Sequence, residues 1–314
     1  MRAVILEGTG DVDQLVVKDI PIPEINEDEI LVKTRVASIN PIEIKTRKGN
    51  KFSEPLLKLE YSILGWDAGG VVAEVGENIT EFKPGDRVFG IIGFPEFGKT
   101  YAEYFVAKEK YLTIVPENVS FADAAASTIA AITAYQALKD YGKLGPNTKV
   151  LIQAASGGVG HYAVQFAKHF GAEIWATASG SHEDFVKELG ADHFIDYKTQ
   201  KFEEEAQNMD VVLDLIGGDY IDRSLKSLKK GGTIISAPSA TNEKVEEKAD
   251  KAGCNGVRFS LKNKKEDMQT IAHLLKTGEV KPFISKSFAL DEIREAHAQQ
   301  EKGHTKGKIV INME

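Results

Sequence analysis

KVLIQAASGGVGHYAVQFAKHFGAEIWATAS, residues 149–179, has the form strand, glycine-rich turn, helix, strand. KVLIQAA (149–155) is apolar and short enough for a buried strand. It runs directly into Ala155-Ser156-Gly157-Gly158-Val159-Gly160, after which Val159, Ala163, Phe166 and Ala167 recur on one stripe of a helix over 158–170. EIWATAS (173–179) reads as the second strand. A side chain at Gly157 or Gly158 would keep a pyrophosphate away from the backbone amides, and a helix beginning there aims free N–H groups and its positive end at the anion. Gly160 lets the helix lie close to the strand. Taken alone, three glycines mean only a tight turn. Between a strand and a helix, with Ala155 at the first position of the pattern, they predict a dinucleotide-binding βαβ unit.

The end of the second strand selects the cofactor. An NAD site places Asp or Glu there, roughly twenty residues past the turn, to bind the ribose 2′-hydroxyl. This chain has Ala178-Ser179-Gly180-Ser181-His182. With no carboxylate to repel a 2′-phosphate, and with Ser179, Ser181 and His182 able to donate to it, the turn favours NADPH. The alternative is a neutral turn that accepts either cofactor, because neither Arg nor Lys lies in it.

Outward from this unit, strands and helices alternate through HFIDY (193–197), MDVVLDLIG (209–217) and GTIISA (232–237), as in a parallel sheet covered by helices. SFADAAAST (120–128) opens with a Ser N-cap, and its helix is predicted to run through Leu138. Before residue 115 the pattern is different. ILVKTRVASI (30–39), GGVVAEVG (69–76) and DRVFGII (86–92) are short strands separated by the turns VGEN and KPGD, which suits a β-barrel or strongly bent sheet. Asn263 is expected to cap a helix ending at Thr277 before Gly278, and KIVIN (308–312) is a final strand that can return to the first domain. The segment 242–253 reads as a solvated, charge-rich helix or loop.

The 314 residues suit two domains, and a net charge of −8 disfavours nucleic acid or an anionic membrane surface as the main partner. A single cysteine, Cys254, excludes an internal disulfide and a four-cysteine zinc site. No stretch is long and apolar enough to span a bilayer, and MRAVILEGTG reads as a strand rather than a signal peptide, so a cytoplasmic location is expected. The seven histidines form no metal-like cluster and suit solvated or helix-terminal positions.

Several long stretches carry a resemblance: ASINPIEIKTRKG (37–49), LGWDAGGVVAEVGENITEFKPGDRVFG (64–90), AASGGVGHYAVQFAK (154–168), ELGADHFIDY (188–197), DVVLDLIGG (210–218) and HTKGKIVI (304–311). Over nearly all its length the chain resembles the medium-chain dehydrogenase/reductase superfamily, in its zinc-free quinone oxidoreductase-like branch. The resemblance implies a GroES-like β-barrel domain (1–120 and 258–314) and a doubly wound Rossmann domain (121–257), with the cofactor in the cleft between them. It also implies a homodimer through Rossmann edge strands, for which GGTIISAP (231–238) is the expected edge. Zinc-dependent relatives carry Cys, His and Cys where this chain has Asn40, Trp66 and Ile129, none of which supplies a thiolate or imidazole, so no metal is expected.

Without a Lewis acid, the accessible reaction is hydride addition to an already electrophilic carbon, in a quinone or an α,β-unsaturated ketone or aldehyde. The protein must stabilise the resulting anion and supply a proton. Asn40, Lys45, Tyr61 and Trp66 are the candidates near the former metal position. The run Asn40-Pro-Ile-Glu43-Ile-Lys45 resembles the enone and alkenal reductase subgroup, in which the lysine lies by the nicotinamide and the substrate oxygen; the plain alternative is a surface lysine. Glu43 and Arg47 are expected to form a structural ion pair or rim charges. The resemblance also assigns cofactor contacts to Thr133, Ala155, Tyr197, Leu215, Ile216, Gly217, Ser236, Ala237, Pro238, Phe283 and Ile284, each of which can instead be core. The loops 50–62 and 93–101, with Phe52, Leu56, Leu57, Tyr61, Phe94, Phe97 and Tyr101, suggest an apolar, aromatic mouth. A regulatory protein that signals NADPH occupancy is the competing reading.

Overall fold

A computed structural model describes residues 1–314 apart from Ser239, His304 and Glu314, so the first residue of the 304–311 motif lies outside it. The chain forms two compact units, Met1–Ile129 with Asn263–Glu314, and Ala130–Lys262.

In the second unit the strands Lys149–Ile152, Glu173–Ala178, His193–Asp196, Met209–Asp214, Leu228–Ser236 and Asn255–Arg258 form one sheet. All neighbouring pairs are parallel. Numbered along the chain, their order across the sheet is 3-2-1-4-5-6, the doubly wound dinucleotide-binding arrangement. The order reverses beside Lys149–Ile152, which pairs with Glu173–Ala178 on one side and Met209–Asp214 on the other. Ligands of open α/β sheets bind at the carboxyl ends of strands at such a reversal.

Within the first unit, strand Ile30–Ser38 pairs antiparallel with Asp67–Val75, Tyr104–Ala107 and the chain's last strand, Lys308–Asn312. KIVIN therefore does return to the amino-terminal part of the chain. Its residues Ile309 and Ile311 enter a core with Ala3, Val4, Leu6, Ile39, Leu56 and Tyr101. A second core gathers Ile30, Val32, Val72, Val88 and Phe105 on the bent sheet.

Several sequence expectations shift. The single helix expected from Phe121 to Leu138 is broken: Phe121–Ala126 ends at Ser127, Ile129–Gln136 follows, and Ala137–Tyr141 is a wider π turn. Ala125 and Ala126 pack with Val36 and Val310, which ties Phe121–Ala126 to the first unit, past the expected boundary at 120. Asn263 does not cap the helix Lys265–Thr277; its amide donates to Ile91 O at 2.7 Å. The Gly278 stop is as read, with φ 73°. Strand Asn255–Arg258 was not legible as a strand, and it makes GGTIISAP an inner strand rather than an edge. His161 and His297 are fully buried, against the expectation of solvated positions.

Ser120 caps Phe121–Ala126, its Oγ accepting from the Asp123 N–H at 3.0 Å. Ser120→Ala leaves that donor without its acceptor, and urea unfolding should show a loss of about 1 kcal/mol.

Candidate active site

Helix Gly160–His169 begins right after the glycine turn. Ala154 takes a left-handed conformation (φ 47°), which turns the chain out of the strand, and the Gly157 N–H closes the turn on Ala154 O at 2.9 Å. The N–H groups of Gly158 and Val159 meet no acceptor among the described residues. A Cβ on Gly160 would lie 2.2 Å from Ala154 O and 2.7 Å from Ala155 Cα, so only glycine lets the helix approach the strand this closely. A Cβ on Gly157 would meet only Ala154 O, at 3.2 Å, and otherwise project into open space. Free amides, a helix start and open space above glycine fit a diphosphate.

The other expected cofactor residues of this unit fall on the same edge. Ser179, Ser181 and His182 follow the second strand, Tyr197 the third, Leu215, Ile216 and Gly217 the fourth, and Ala237 and Pro238 the fifth. His182 Nδ1 lies 2.9 Å from Ser156 Oγ, joining the second-strand turn to the phosphate turn. Ser179 and Ser181 share a hydrogen bond at 3.2 Å. Tyr197 and Ile216 are 41% and 38% exposed, although both are large and apolar. Bare apolar side chains flanking a polar turn suit the flat faces of a ligand's rings. Thr133 is buried within helix Ile129–Gln136 rather than after it. Ser236 is buried too, and its hydroxyl donates to Asp214 Oδ2 at 2.5 Å.

Asp214 is a candidate site residue that the sequence analysis did not single out. Fully buried at the end of its strand, it accepts from the N–H groups of Ile216 and Gly217 at 2.9 and 2.8 Å. It shapes the turn that bares Ile216. An acidic residue closing an apolar strand just before Gly-Gly was the available signal.

In the first unit, Phe283 and Ile284 lie at the start of strand Ile284–Ala289, and Ile284 packs on Val36, Ala125, Ala126 and Val310. Helix Pro41–Lys48 starts with a capping box, the Asn40 N–H donating to Glu43 Oε2 at 2.8 Å. Asn40 is 3% exposed, and its amide is engaged at both its nitrogen and its oxygen. Nδ2 donates to Asp67 Oδ2 at 2.8 Å and Oδ1 accepts from Lys308 Nζ at 2.6 Å. Lys45 lies on the exposed face of the same helix with no hydrogen bond or ion pair to a described residue. Tyr61 is half-buried against the core, and desolvation, then the charge of Glu60, raises its phenol pKa, so it stays a neutral donor. Trp66 is buried; its indole N–H donates to Glu96 O at 2.5 Å, with Phe52, Phe94 and Phe97 around it at centroid distances of 6.1, 6.2 and 6.5 Å. Leu56 and Tyr101, expected at an open mouth, are core residues.

Glu43 and Arg47 do not pair with each other. Arg47 donates to Gly10 O at 3.0 Å and pairs with Glu301, whereas Glu43 is buried beside Asp67. Burial, then the negative charge of Asp67, raises the Glu43 carboxyl to about 8. Burial likewise raises Asp67 and lowers Lys308. Among the described residues no group of three or more His, Cys, Asp or Glu is arranged to hold a metal ion.

A six-stranded parallel sheet ending in this turn, together with a bent antiparallel unit, defines a nucleotide-dependent oxidoreductase of two-unit build. Residues 26–117 match the family model for an alcohol dehydrogenase GroES-like domain, and residues 189–311 match that for a zinc-binding dehydrogenase. The chain is 34% identical to 2-methylene-furan-3-one reductase of Solanum lycopersicum, over 99% of this chain and 79% of the relative. It is 32% identical to a chloroplastic NADPH-dependent alkenal/one oxidoreductase of Arabidopsis thaliana, with the same coverage. The quinone oxidoreductase from Coxiella burnetii has the same fold, with a TM-score of 0.95, 35% identity and coverage of 100% of this chain and 99% of that one. The chain belongs to the medium-chain dehydrogenase/reductase superfamily, in its quinone oxidoreductase-like branch.

Two outcomes follow from these geometries. Gly160→Ala forces a Cβ onto Ala154 O and should both lower Tm and weaken NADPH binding at least tenfold by fluorescence titration. For Glu43, the folded pKa lies above the unfolded 4.5, so its contribution to stability is complete below pH 4.5 and is lost as the pH rises towards about 8. The Tm of the protein relative to Glu43→Gln should therefore fall as pH rises across that window; a constant difference contradicts the raised pKa.

Proposed function

We propose that this chain is an NADPH-dependent, zinc-independent reductase of enones, alkenals or quinones. The observation that carries it is the carboxyl edge of the parallel sheet, where the amides of Gly158 and Val159, without an acceptor among the described residues, adjoin a turn whose own side chains are hydroxyls and an imidazole, the carboxylate of Asp196 from the next strand packing against its Gly180. Those amides bind the diphosphate, and Ala155, Gly157 and Gly160 give it access. Ser179, Ser181 and His182 donate to the 2′-phosphate, with Tyr197 beside it. Leu215, Ile216 and Gly217 meet the nicotinamide-side ribose; Ser236, Ala237 and Pro238, with Thr133, bound the ring. The NADPH-dependent alkenal/one reductase among the relatives supports this choice of cofactor.

When bound, the dinucleotide supplies a hydride. The remaining chemistry falls to the protein. Lys45, exposed and without a hydrogen bond or ion pair among the described residues, stands against negative charge developing on the substrate oxygen. Tyr61, kept in its neutral form, is the proton donor in this reading. Asn40, whose amide is engaged by Asp67 and Lys308, holds the start of the helix that carries Lys45. The donor set at Asn40, Trp66 and Ile129 suits no zinc, which is why alcohol oxidation is not proposed. A homodimer joined through strand Asn255–Arg258, one of the two edges of the sheet, and a cytoplasmic location belong to the same proposal.

NADPH consumption with a simple enone or a naphthoquinone tests it, and a chelator should leave the rate unchanged. Lys45→Ala should lower kcat roughly a hundredfold. Binding of NADPH without turnover of either substrate class would instead favour a regulatory protein that responds to cofactor occupancy.

A further inference from the structure

Lys308 carries an ammonium where burial opposes charge. It is 3% exposed at the start of the last strand, and its Nζ donates to Ile39 O at 2.8 Å as well as to Asn40 Oδ1. Asp67, fully buried at the start of its own strand, takes the Asn40 amide on Oδ2 and the Ile129 N–H on Oδ1 at 3.3 Å. Asn40 and Ile129 are two of the positions at which zinc-dependent relatives carry ligands. In this chain they are joined by side chains: a carboxylate links them to each other, and an ammonium sits on the asparagine oxygen.

One ammonium faces two buried carboxyls, so a neutral cluster keeps one of them protonated, and the Glu43 carboxyl, raised to about 8, is the one that holds the proton. The other titratable groups facing this cluster add no cation to it. Tyr101 is fully buried, with its phenol raised first by desolvation and then by the Glu43 and Asp67 carboxyl groups. His297, packed edge-on against Tyr101 at 5.8 Å, is held neutral by burial, its pKa lowered to about 3. Arg47 is pledged to Glu301 and Gly10.

We propose that Lys308 is a built-in cation that works through Asn40 and Asp67 to fix the start of helix Pro41–Lys48, and so positions Lys45 for the reduction. Lys308 is on this account a positioning residue rather than a catalytic one, and the inference rests on the enone or quinone reductase reading. The alternative is a buried ion pair that contributes to stability alone. Removing one partner of such a pair strands the other charge, whereas removing both relieves it. The positioning role predicts in addition that a folded protein lacking both charges turns over poorly.

Lys308→Met, Asp67→Asn and the double variant separate these outcomes, with Tm, NADPH affinity and enone turnover measured on each full-length protein. Lys308→Met should lower Tm by roughly 5–10 °C at pH 8 and recover on acidification, as Asp67 becomes protonated. The double variant should regain most of that Tm and bind NADPH like the unaltered protein, yet show a kcat at least tenfold lower with KM for NADPH unchanged. Additive Tm losses, a Lys308→Met protein as stable as the parent, a double variant that fails to fold, or a folded double variant with full turnover would each overturn the inference. Absence of turnover in the unaltered protein would sink the reductase reading instead, leaving the Tm cycle to judge the ion pair.

Discussion

A helix delivers free amides to an anion only if nothing stands between its first turn and the strand before it. In this chain that condition rests on Gly160, where even one methyl group would collide with the Ala154 carbonyl. Because the approach is open, the helix starts hard against the strand at the point where the sheet order reverses, and the amides of Gly158 and Val159 are left without an acceptor among the described residues. The turns after the neighbouring strands then fall along one edge beside the glycine turn. His182 reaching Ser156 and Asp214 gathering the Ile216 and Gly217 amides are consequences of that shared edge.

The first unit solves a different problem. Where zinc-dependent relatives hold a metal, this chain has a water-poor interior that still contains two carboxyls, an ammonium and an amide. An isolated buried charge costs several kcal/mol, so such groups persist only when each is hydrogen-bonded and the sum of charge is near zero. Asn40 meets both demands by bridging Lys308 and Asp67, and Glu43 meets them by remaining protonated while it caps its own helix. The same arrangement uses up the amide that sequence reading placed among the catalytic candidates. Lys45, one side of the helix away, is the cation of this helix without an ion pair among the described residues.

Much of this was legible in the sequence, and the reasons are local. The phosphate turn, the carboxylate-free second-strand turn and the Gly278 helix stop depend on backbone conformation and residue type within a few positions, and sequence carries that information directly. The long helix after Ser120 was misread because its alanine-rich composition favours helix throughout, whereas packing of Ala125 and Ala126 on Val36 and Val310 ends it at Ser127. Asn263 looked like a cap by residue type, but Ile91 O, far away in sequence, captured its amide. Strand Asn255–Arg258 has neither alternation nor apolar bulk, and becomes a strand only because Leu228–Ser236 offers it a parallel partner.

The sequence by itself determined the dinucleotide-binding turn, the class of cofactor it suits and the absence of zinc ligands at positions 40, 66 and 129, because each is a matter of which atoms a few adjacent residues bring. Only the tertiary structure decided that Lys308, at the far end of the chain, sits on the side-chain oxygen of Asn40, that Asp67 spans Asn40 and Ile129, and that Glu43 and Arg47 have separate partners. Those pairings depend on which strand lies beside which in the antiparallel sheet, and on burial that makes one extra charge intolerable; neither is written in local spacing.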